Sequence, residues 1–204
     1  MFITIEGIDG SGKSTQIELL SKYFIENQMD FIVLREPGGT KLGEKIREIL
    51  LDKKNNISKV SELLLFEASR AELIEKIIFP NIKLGKIVLC DRFIDSTLAY
   101  QGFARGLDLK FIENIHNYFK ILPDLTIYLD IDVELAYNRL DKNLDRLEKE
   151  GKIFQEKVKK GYLFLAEKYK NRIKIVNANS LSKIEIHEKI IKLIKNFIFQ
   201  YKTF

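Results

Sequence analysis

The stretch Gly7-Ile8-Asp9-Gly10-Ser11-Gly12-Lys13-Ser14 matches the pattern G-x-x-x-x-G-K-[ST] at every fixed position. It follows a β-branched run that predicts a strand, and it precedes an apolar stripe with helical spacing, Ile17, Leu20 and Phe24. In that setting the glycines let successive backbone N–H groups point at phosphate oxygens, at the positive end of the helix. This loop, below called the P-loop, predicts a nucleotide phosphate site, with Lys13 on the β and γ phosphates and Ser14 on Mg²⁺.

Short β-branched runs alternate with helical stretches along the chain, at residues 2–6, 31–34, 87–90, 125–129 and 173–176. Strands joined by helices imply right-handed crossovers and a parallel sheet covered on both faces. We therefore expect an α/β fold of the P-loop three-layer type, with a five-stranded parallel sheet flanked by helices and ligands beyond the carboxyl ends of the strands. The patterns also predict a helix over residues 57–78 and a last helix opened by a capping box, Ser182 with Glu185.

Length and composition limit the classes of function. The 204 residues, 46% hydrophobic and 31% charged, fit one globular domain, residues 1–204, and exclude a largely disordered chain. The formal charge of +5 comes from lysines dispersed among acidic residues, so we expect no nucleic-acid partner. Cys90 is the only cysteine, which excludes a disulfide scaffold. Without a signal peptide or a run of roughly twenty apolar residues, the chain is expected to be cytoplasmic and to have no membrane contact.

Asp91 and Arg92 stand directly after the third predicted strand. A carboxylate there can act on Mg²⁺ directly or through water, and the alternative for Asp91 is a helix-capping role. The planar guanidinium of Arg92 suits a bridge between donor and acceptor phosphates. The reaction stays open at this point, because motors, GTPases and kinases share the P-loop.

The segment over about residues 139–152 is rich in charged side chains. Seen alone, such a run is more typical of a solvated loop. In a phosphate-transferring enzyme the same composition suits a mobile lid that closes on substrate and carries cations inward.

Ordered sequence blocks along nearly the whole chain resemble the thymidylate kinase family. They are FITIEGIDGSGKST at the P-loop, REPGGT (35–40), LLFEASRAEL (64–73), DRFIDSTLAYQG (91–102), PDLTIYLD (123–130) and DRLE (145–148). The resemblance implies an enzyme that uses ATP and Mg²⁺ to phosphorylate dTMP. It also implies a homodimer.

The resemblance assigns a base site. Phe66 resembles the ring that stacks on thymine, and Arg70 resembles the guanidinium that hydrogen-bonds the base edge. Residues four apart on a helix share one face, which agrees with this pairing, although without the family Phe66 fits a core position better. Further contacts to the base and sugar are implied for Ser96, Tyr100 and Gln101, whose amide can both donate and accept.

The other implied contacts surround the phosphates and adenine. Asp9 resembles the acidic residue near the 3′-hydroxyl of the acceptor sugar, with a turn-stabilising role as the alternative. Arg35 and Glu36 resemble the segment that lines the acceptor phosphate. Arg47 is a weaker candidate, equally consistent with an exposed ion pair. The implied ATP contacts are Gly7, Ile8, Asp9, Gly10, Ser11, Gly12, Lys13, Ser14, Thr15 and, on the adenine, Arg139.

The lid is expected to supply a catalytic cation. At Gly10 and Ser11 the P-loop lacks the arginine found in one branch of the family, so a lid residue should neutralise charge as the phosphoryl group moves. Arg146, in the DRLE block, is the preferred residue and Lys142 is the alternative. No general base is needed, because a phosphate with a second pKa of about 6 is already a nucleophile. The expected catalytic set is therefore Lys13, Arg92, Arg146 and Asp9.

Two other functions remain open. A different nucleoside monophosphate kinase or a deoxynucleoside kinase would be distinguished by activity on dUMP, UMP or thymidine. A P-loop switch or regulatory ATPase would hydrolyse ATP slowly without an acceptor. Phosphorylation of dTMP is favoured because the base-reading residues lie on elements that ATP does not need. His116 and His187, on predicted helices away from the motifs, are expected to be structural.

Overall fold

A single parallel sheet organises residues 1–140 and 144–201, which are the residues that the computed structural model describes, with side chains described up to residue 199. Across this part of the chain the sheet has five strands in the order β2-β3-β1-β4-β5. They are β1 (Phe2–Glu6), β2 (Phe31–Arg35), β3 (Ile87–Asp91), β4 (Leu125–Asp130) and β5 (Ile173–Asn177). The predicted five-stranded parallel sheet is confirmed.

Each strand after β1 extends one residue beyond its predicted end. The cause is parallel pairing: Arg35 lies opposite Asp91, and Asp130 lies opposite Asn177, in the ladder. The apolar pattern stops one residue earlier because these last positions are polar. The ladder therefore holds polar side chains at the carboxyl edge of the sheet.

Helices flank the sheet and bury its apolar faces. Ile3, Ile5, Leu89 and Ile127 have no exposed surface, and Cys90 is also fully buried. The α-helices in the described part of the chain are α1 (Lys13–Glu26), α2 (Lys41–Leu51), α3 (Lys59–Leu73), α4 (Phe79–Lys83), α5 (Ile94–Thr97), α6 (Leu109–Asn117), α7 (Val133–Tyr137), α8 (Gly151–Lys168) and α9 (Lys183–Tyr201). Among these residues, no helix is both long enough and apolar enough to cross a bilayer.

Capping side chains precede several of these helices, α9 and α3 among them. The Ser182 N–H donates to Glu185 Oε2 (2.8 Å), and the Glu185 N–H donates to Ser182 Oγ (3.3 Å), which confirms the predicted capping box. The helix expected over residues 57–78 instead begins at Lys59, because Ser58 is its N-cap.

Two helical segments widen into π-helix. Ile74–Ile78 continues α3, and Leu98–Ala104 continues α5. Such wider turns are frequent at functional sites. The second segment carries Tyr100 and Gln101 to the carboxyl edge of the sheet, where both line a cavity.

Candidate active site

A cavity of about 500 Å³ opens beyond the carboxyl ends of β1, β2 and β3. Its size is that of a small-molecule site, and its position is where open parallel sheets bind ligands. Of the predicted site residues, it brings together Asp9, Gly10, Gly12, Lys13, Ser14, Thr15, Arg35, Glu36, Arg47, Phe66, Arg70, Asp91, Arg92, Ser96, Tyr100, Gln101 and Arg139. The predicted residues outside this lining are Gly7, Ile8, Ser11 and Arg146.

The P-loop is a tight turn that depends on glycine. Gly10 has φ +78°, and a Cβ there would lie 2.2 Å from the carbonyl oxygen of Ala136. Lys13 is buried, and its Nζ donates to the backbone carbonyls of Gly7 (3.2 Å) and Ile8 (3.0 Å). The ammonium group thus lies inside the loop, where phosphates would be received.

Arg92 lies beside the P-loop in a left-handed backbone conformation, φ +69°, that side chains rarely adopt. Its Nη2 donates to Asp9 Oδ1 at 2.6 Å, and its guanidinium carbon lies 5.0 Å from the centroid of the Tyr100 ring. Burial alone would raise the pKa of the Asp9 carboxyl, but the charges of Arg92 and Lys13 hold that pKa below its usual range. The hydrogen bonds described for Asp9 come from side chains, which disfavours a turn-stabilising role.

Glu6 is a fully buried carboxylate behind this arginine that the sequence reasoning missed. Its Oε1 accepts from the Phe93 N–H (2.8 Å), and its Oε2 accepts from Ser96 Oγ (2.6 Å) and the Tyr162 hydroxyl (2.8 Å). Burial and the negative charge of Asp95 raise the pKa of Glu6 to about 7. Ser96 therefore lines the cavity while its hydroxyl is held from behind by Glu6 and also accepts from Arg92 Nη1 at 3.1 Å.

Arg70 and Phe66 both line the cavity from α3, as their spacing on that helix predicts. Arg70 is buried. Its Nε and Nη2 donate to Glu36 Oε2 (2.9 and 2.6 Å), Nη2 also donates to Thr97 Oγ1 (2.9 Å), and Nη1 donates to Glu67. Burial raises the pKa of Glu36 to about 7 despite the neighbouring guanidinium. Phe66 is half-buried and faces the cavity, so a purely core role is wrong.

Positive charge lines the cavity after β2. Arg35 pairs with Glu44 at 2.7 Å and keeps about half of its side chain exposed, 51%. Arg47 is half-buried, and its Nη1 donates to the Pro37 carbonyl at 2.9 Å. Arg47 thus lies at the cavity rather than in an exposed ion pair.

Asp91 and Ser14 offer oxygen atoms for a cation. Asp91 Oδ1 is buried and has no hydrogen-bond partner among the described residues, and the exposed Ser14 lines the same cavity. The N-cap of α5 is Phe93, without a capping side chain, so the capping alternative for Asp91 is wrong. No group of three or more acidic, histidine or cysteine ligands occurs in the described ranges. An ion held by one or two protein oxygens plus phosphates fits Mg²⁺.

Comparisons with known proteins agree with this geometry. The family model described as thymidylate kinase matches residues 5–190. The chain is 52% identical to a thymidylate kinase of Thermosipho africanus over 90% of this chain and 93% of that protein. It is 46% identical to one from Thermoanaerobacter sp. (strain X514) over 97% and 98%. A solved thymidylate kinase from Ehrlichia chaffeensis superposes with a TM-score of 0.79 at 38% identity, covering 96% of this chain and 98% of that one.

The chain belongs to the thymidylate kinase family. It is therefore a nucleoside monophosphate kinase with a P-loop fold.

In this family member, the charged segment that was predicted to form a lid meets the cavity through residues that sequence reasoning did not select. Asp145, Leu147 and Glu148 line the cavity, as does the exposed Arg139. Arg146 is not among the residues that line the cavity.

Arg146 is held by two other parts of the protein. Its Nε donates to the Leu50 carbonyl at 2.6 Å, and its Nη2 forms an ion pair with Glu62 Oε2 at 2.7 Å. A catalytic contact from Arg146 stays a prediction, and it requires this side chain to leave Glu62. Lys142, the alternative cation, lies outside the described residues.

The histidines lie on helices and outside the cavity lining, as expected. His116 is buried on α6 with its Nε2 2.7 Å from the Ile121 carbonyl, and burial lowers its pKa to about 4. His187 lies on α9.

The missed residues share a detectable signal. Glu6 ends a fully buried apolar strand, and Glu62 and Glu67 lie on α3 next to the apolar residues Leu63 and Phe66. Buried carboxylates are normally paired, so each predicts a partner, but the partner itself lies far away in sequence.

Proposed function

We propose that this family member transfers the γ-phosphoryl group of ATP to dTMP, giving dTDP and ADP for dTTP synthesis. One observation carries the proposal: the same cavity is lined by the P-loop, by Arg92 and by a slot of Phe66, Arg70 and Gln101. The P-loop end suits a triphosphate, and the slot suits a planar base with polar edges.

Catalysis would rest on alignment and charge neutralisation. Lys13 exchanges its two backbone carbonyl partners for the β and γ phosphates. Arg92, held by Asp9, bridges donor and acceptor phosphates, while Arg35 and Arg47 receive the acceptor phosphate. The second Asp9 oxygen, which accepts from the Tyr100 hydroxyl at 3.1 Å, faces the sugar and its 3′-hydroxyl.

Mg²⁺ would be held by Ser14, with Asp91 acting directly or through water, and would neutralise charge on the β and γ phosphates. The unpartnered Oδ1 of Asp91 supports this assignment. The other P-loop residues, through Thr15, contribute backbone N–H groups to ATP.

Thymine recognition would use three side chains. Phe66 stacks on the ring. The Arg70 hydrogen bonds described above occupy four of its five N–H groups, so one N–H on Nη1 is left for a base carbonyl. Gln101 then contacts the adjacent N–H of the base.

The lid, over about residues 139–152, would close on ATP, with Arg139 packing on adenine and Arg146 or Lys142 supplying the catalytic cation. The exposure of Arg139 at the cavity supports its part of this proposal.

The remaining expectations belong to the same proposal. We propose a single domain over residues 1–204, supported by the continuous sheet. A homodimer is supported by exposed Val60 and Leu64 on α3. A cytoplasmic location is supported by the buried free thiol of Cys90. No nucleic-acid partner is proposed.

The test is a coupled ADP-release assay with ATP and Mg²⁺ across dTMP, dUMP, UMP and thymidine. We expect the highest kcat/KM with dTMP and little ADP release without an acceptor. A preference for UMP or thymidine, or equal turnover without an acceptor, would contradict the proposal.

A further inference from the structure

Glu62 is a buried carboxylate on α3, with 1% of its side chain exposed, that lies just outside the cavity lining. Its Oε1 accepts from Gln101 Nε2 (2.9 Å) and from Arg105 Nε (3.2 Å). Its Oε2 accepts from Arg105 Nη2 (3.1 Å) and pairs with Arg146 Nη2 (2.7 Å). One carboxylate therefore contacts a residue of the base slot and a residue of the lid.

The charges of this cluster keep Glu62 ionised. Burial alone would raise the pKa of its carboxyl, but hydrogen bonds from Gln101 and Arg105 hold that pKa below its usual range. Arg105 also pairs with Glu150 at 2.7 Å, so two arginines face two carboxylates. An ionised carboxylate accepts hydrogen bonds and donates none.

This acceptor-only neighbour decides which way the Gln101 amide is turned. The group facing Glu62 has to be the Nε2 amine, because two oxygens in contact would share no proton. The amide is planar, so its Oε1 lies on the side away from the amine. Gln101 lines the cavity whereas Glu62 does not, which leaves the carbonyl oxygen for a ligand.

A fixed acceptor at this point distinguishes pyrimidines. Thymine carries an N–H at ring position 3, which can donate to a carbonyl oxygen. Cytosine carries an unprotonated nitrogen at that position. Two hydrogen-bond acceptors would then face each other with no proton between them. In a buried slot both acceptors would lose their water without gaining a hydrogen bond, which lowers the binding free energy.

From this geometry we infer that Glu62 is a specificity-determining positioning residue, which fixes the Gln101 amide for thymine and against cytosine. The inference rests on the proposed function.

The test is the ratio of dissociation constants for dCMP and dTMP, measured by titration calorimetry on the full chain. Glu62→Gln keeps the shape of the side chain. Its amide can both donate and accept, so Gln101 can form a hydrogen bond with it in either amide orientation. We expect the ratio to fall about tenfold or more. Glu62→Asp keeps the charge that the two arginines require, yet is too short to hold Gln101, and should also lower the ratio.

Two controls separate positioning from general damage. Glu113 accepts from Lys168 and Tyr169 outside the cavity lining, so Glu113→Gln should leave the ratio unchanged. In a Gln101→Met background, adding Glu62→Gln should no longer change the ratio of dissociation constants, because the amide that Glu62 orients is absent.

An unchanged ratio in both Glu62 variants, with dTMP still bound and phosphorylated by the wild type, would overturn the inference alone. An equal fall with and without Gln101 would also overturn it. A wild-type enzyme that does not phosphorylate dTMP would overturn the proposed function and this inference together.

Discussion

Arg70→Lys would separate base recognition from folding. Arg70 is buried between Glu36 and Glu67, and its hydrogen bonds leave one Nη1 N–H for the base. Lysine keeps a positive charge between the two carboxylates but offers three donors instead of five. We expect the variant to fold and to lose the contact with the base edge.

The expected size of the loss follows from that single contact. A hydrogen bond from a charged donor in a buried site is worth about 1–3 kcal/mol, which corresponds to about a 5- to 150-fold fall in kcat/KM for dTMP. The Michaelis constant for ATP should stay nearly unchanged, because the proposed function assigns Arg70 to the base and not to ATP. Arg70→Ala is a poorer probe, since two unpaired buried carboxylates would also cost about 3–5 kcal/mol of stability.

The assay is coupled ADP release, with dTMP varied at saturating ATP and then ATP varied at saturating dTMP. Urea unfolding of both proteins measures the stability change. Arg172 is a matched control, because it is paired with the buried Asp95 and lies outside the cavity lining. Arg172→Lys should change stability without changing kcat/KM for dTMP. Equal losses for ATP and dTMP in Arg70→Lys, or no loss for dTMP, would refute the assignment.

Three further predictions concern the P-loop, the lid and pH. Lys13→Ala should lower kcat by about 10²–10³-fold with an unchanged circular dichroism spectrum, and near-native turnover would contradict the P-loop assignment. Arg146→Ala should lower kcat with little change in the Michaelis constant for ATP, and Arg139→Ala should do the reverse. An unchanged kcat in Arg146→Ala, together with a large fall of kcat in Lys142→Ala, would show that the lysine is the catalytic cation. Because burial lowers the pKa of His116 from 6.5 to about 4, the unfolded chain binds its proton first as the pH falls. The contribution of His116 to stability is therefore complete above pH 6.5 and is lost toward pH 4. Urea unfolding should show a loss of about 2 kcal/mol between pH 7 and pH 5, and His116→Gln should abolish that part of it.

Local patterns explain why much of the fold was predictable. The P-loop spacing and the apolar strands are encoded within short windows, so the sheet and the loop between β1 and α1 follow from sequence. The spacing of Phe66 and Arg70 likewise places both on one helix face. The strand ends at Arg35 and Asp91 were missed because both residues are polar. The apolar pattern therefore stops one residue before the strand pairing does.

The buried polar networks could not be predicted, because they join residues far apart in sequence. Glu6 contacts Tyr162 across 156 positions, and Arg146 donates to the Leu50 carbonyl across 96. A single sequence reveals that a buried carboxylate needs a partner but not which one. The position of the Arg146 side chain could not be predicted for the same reason. Its ion-pair partner Glu62 is distant in sequence, and the residues next to Arg146 do not indicate the pair.

The close approach of Gly10 to Ala136 has an evolutionary consequence. An arginine cannot enter the loop at position 10 without displacing the backbone at the end of α7 and abandoning a left-handed turn. Relatives with this backbone would have to supply a catalytic cation from another segment. Introducing the arginine by design would first require remodelling of α7. The main chain itself, and not only the choice of side chain, therefore excludes an arginine at position 10.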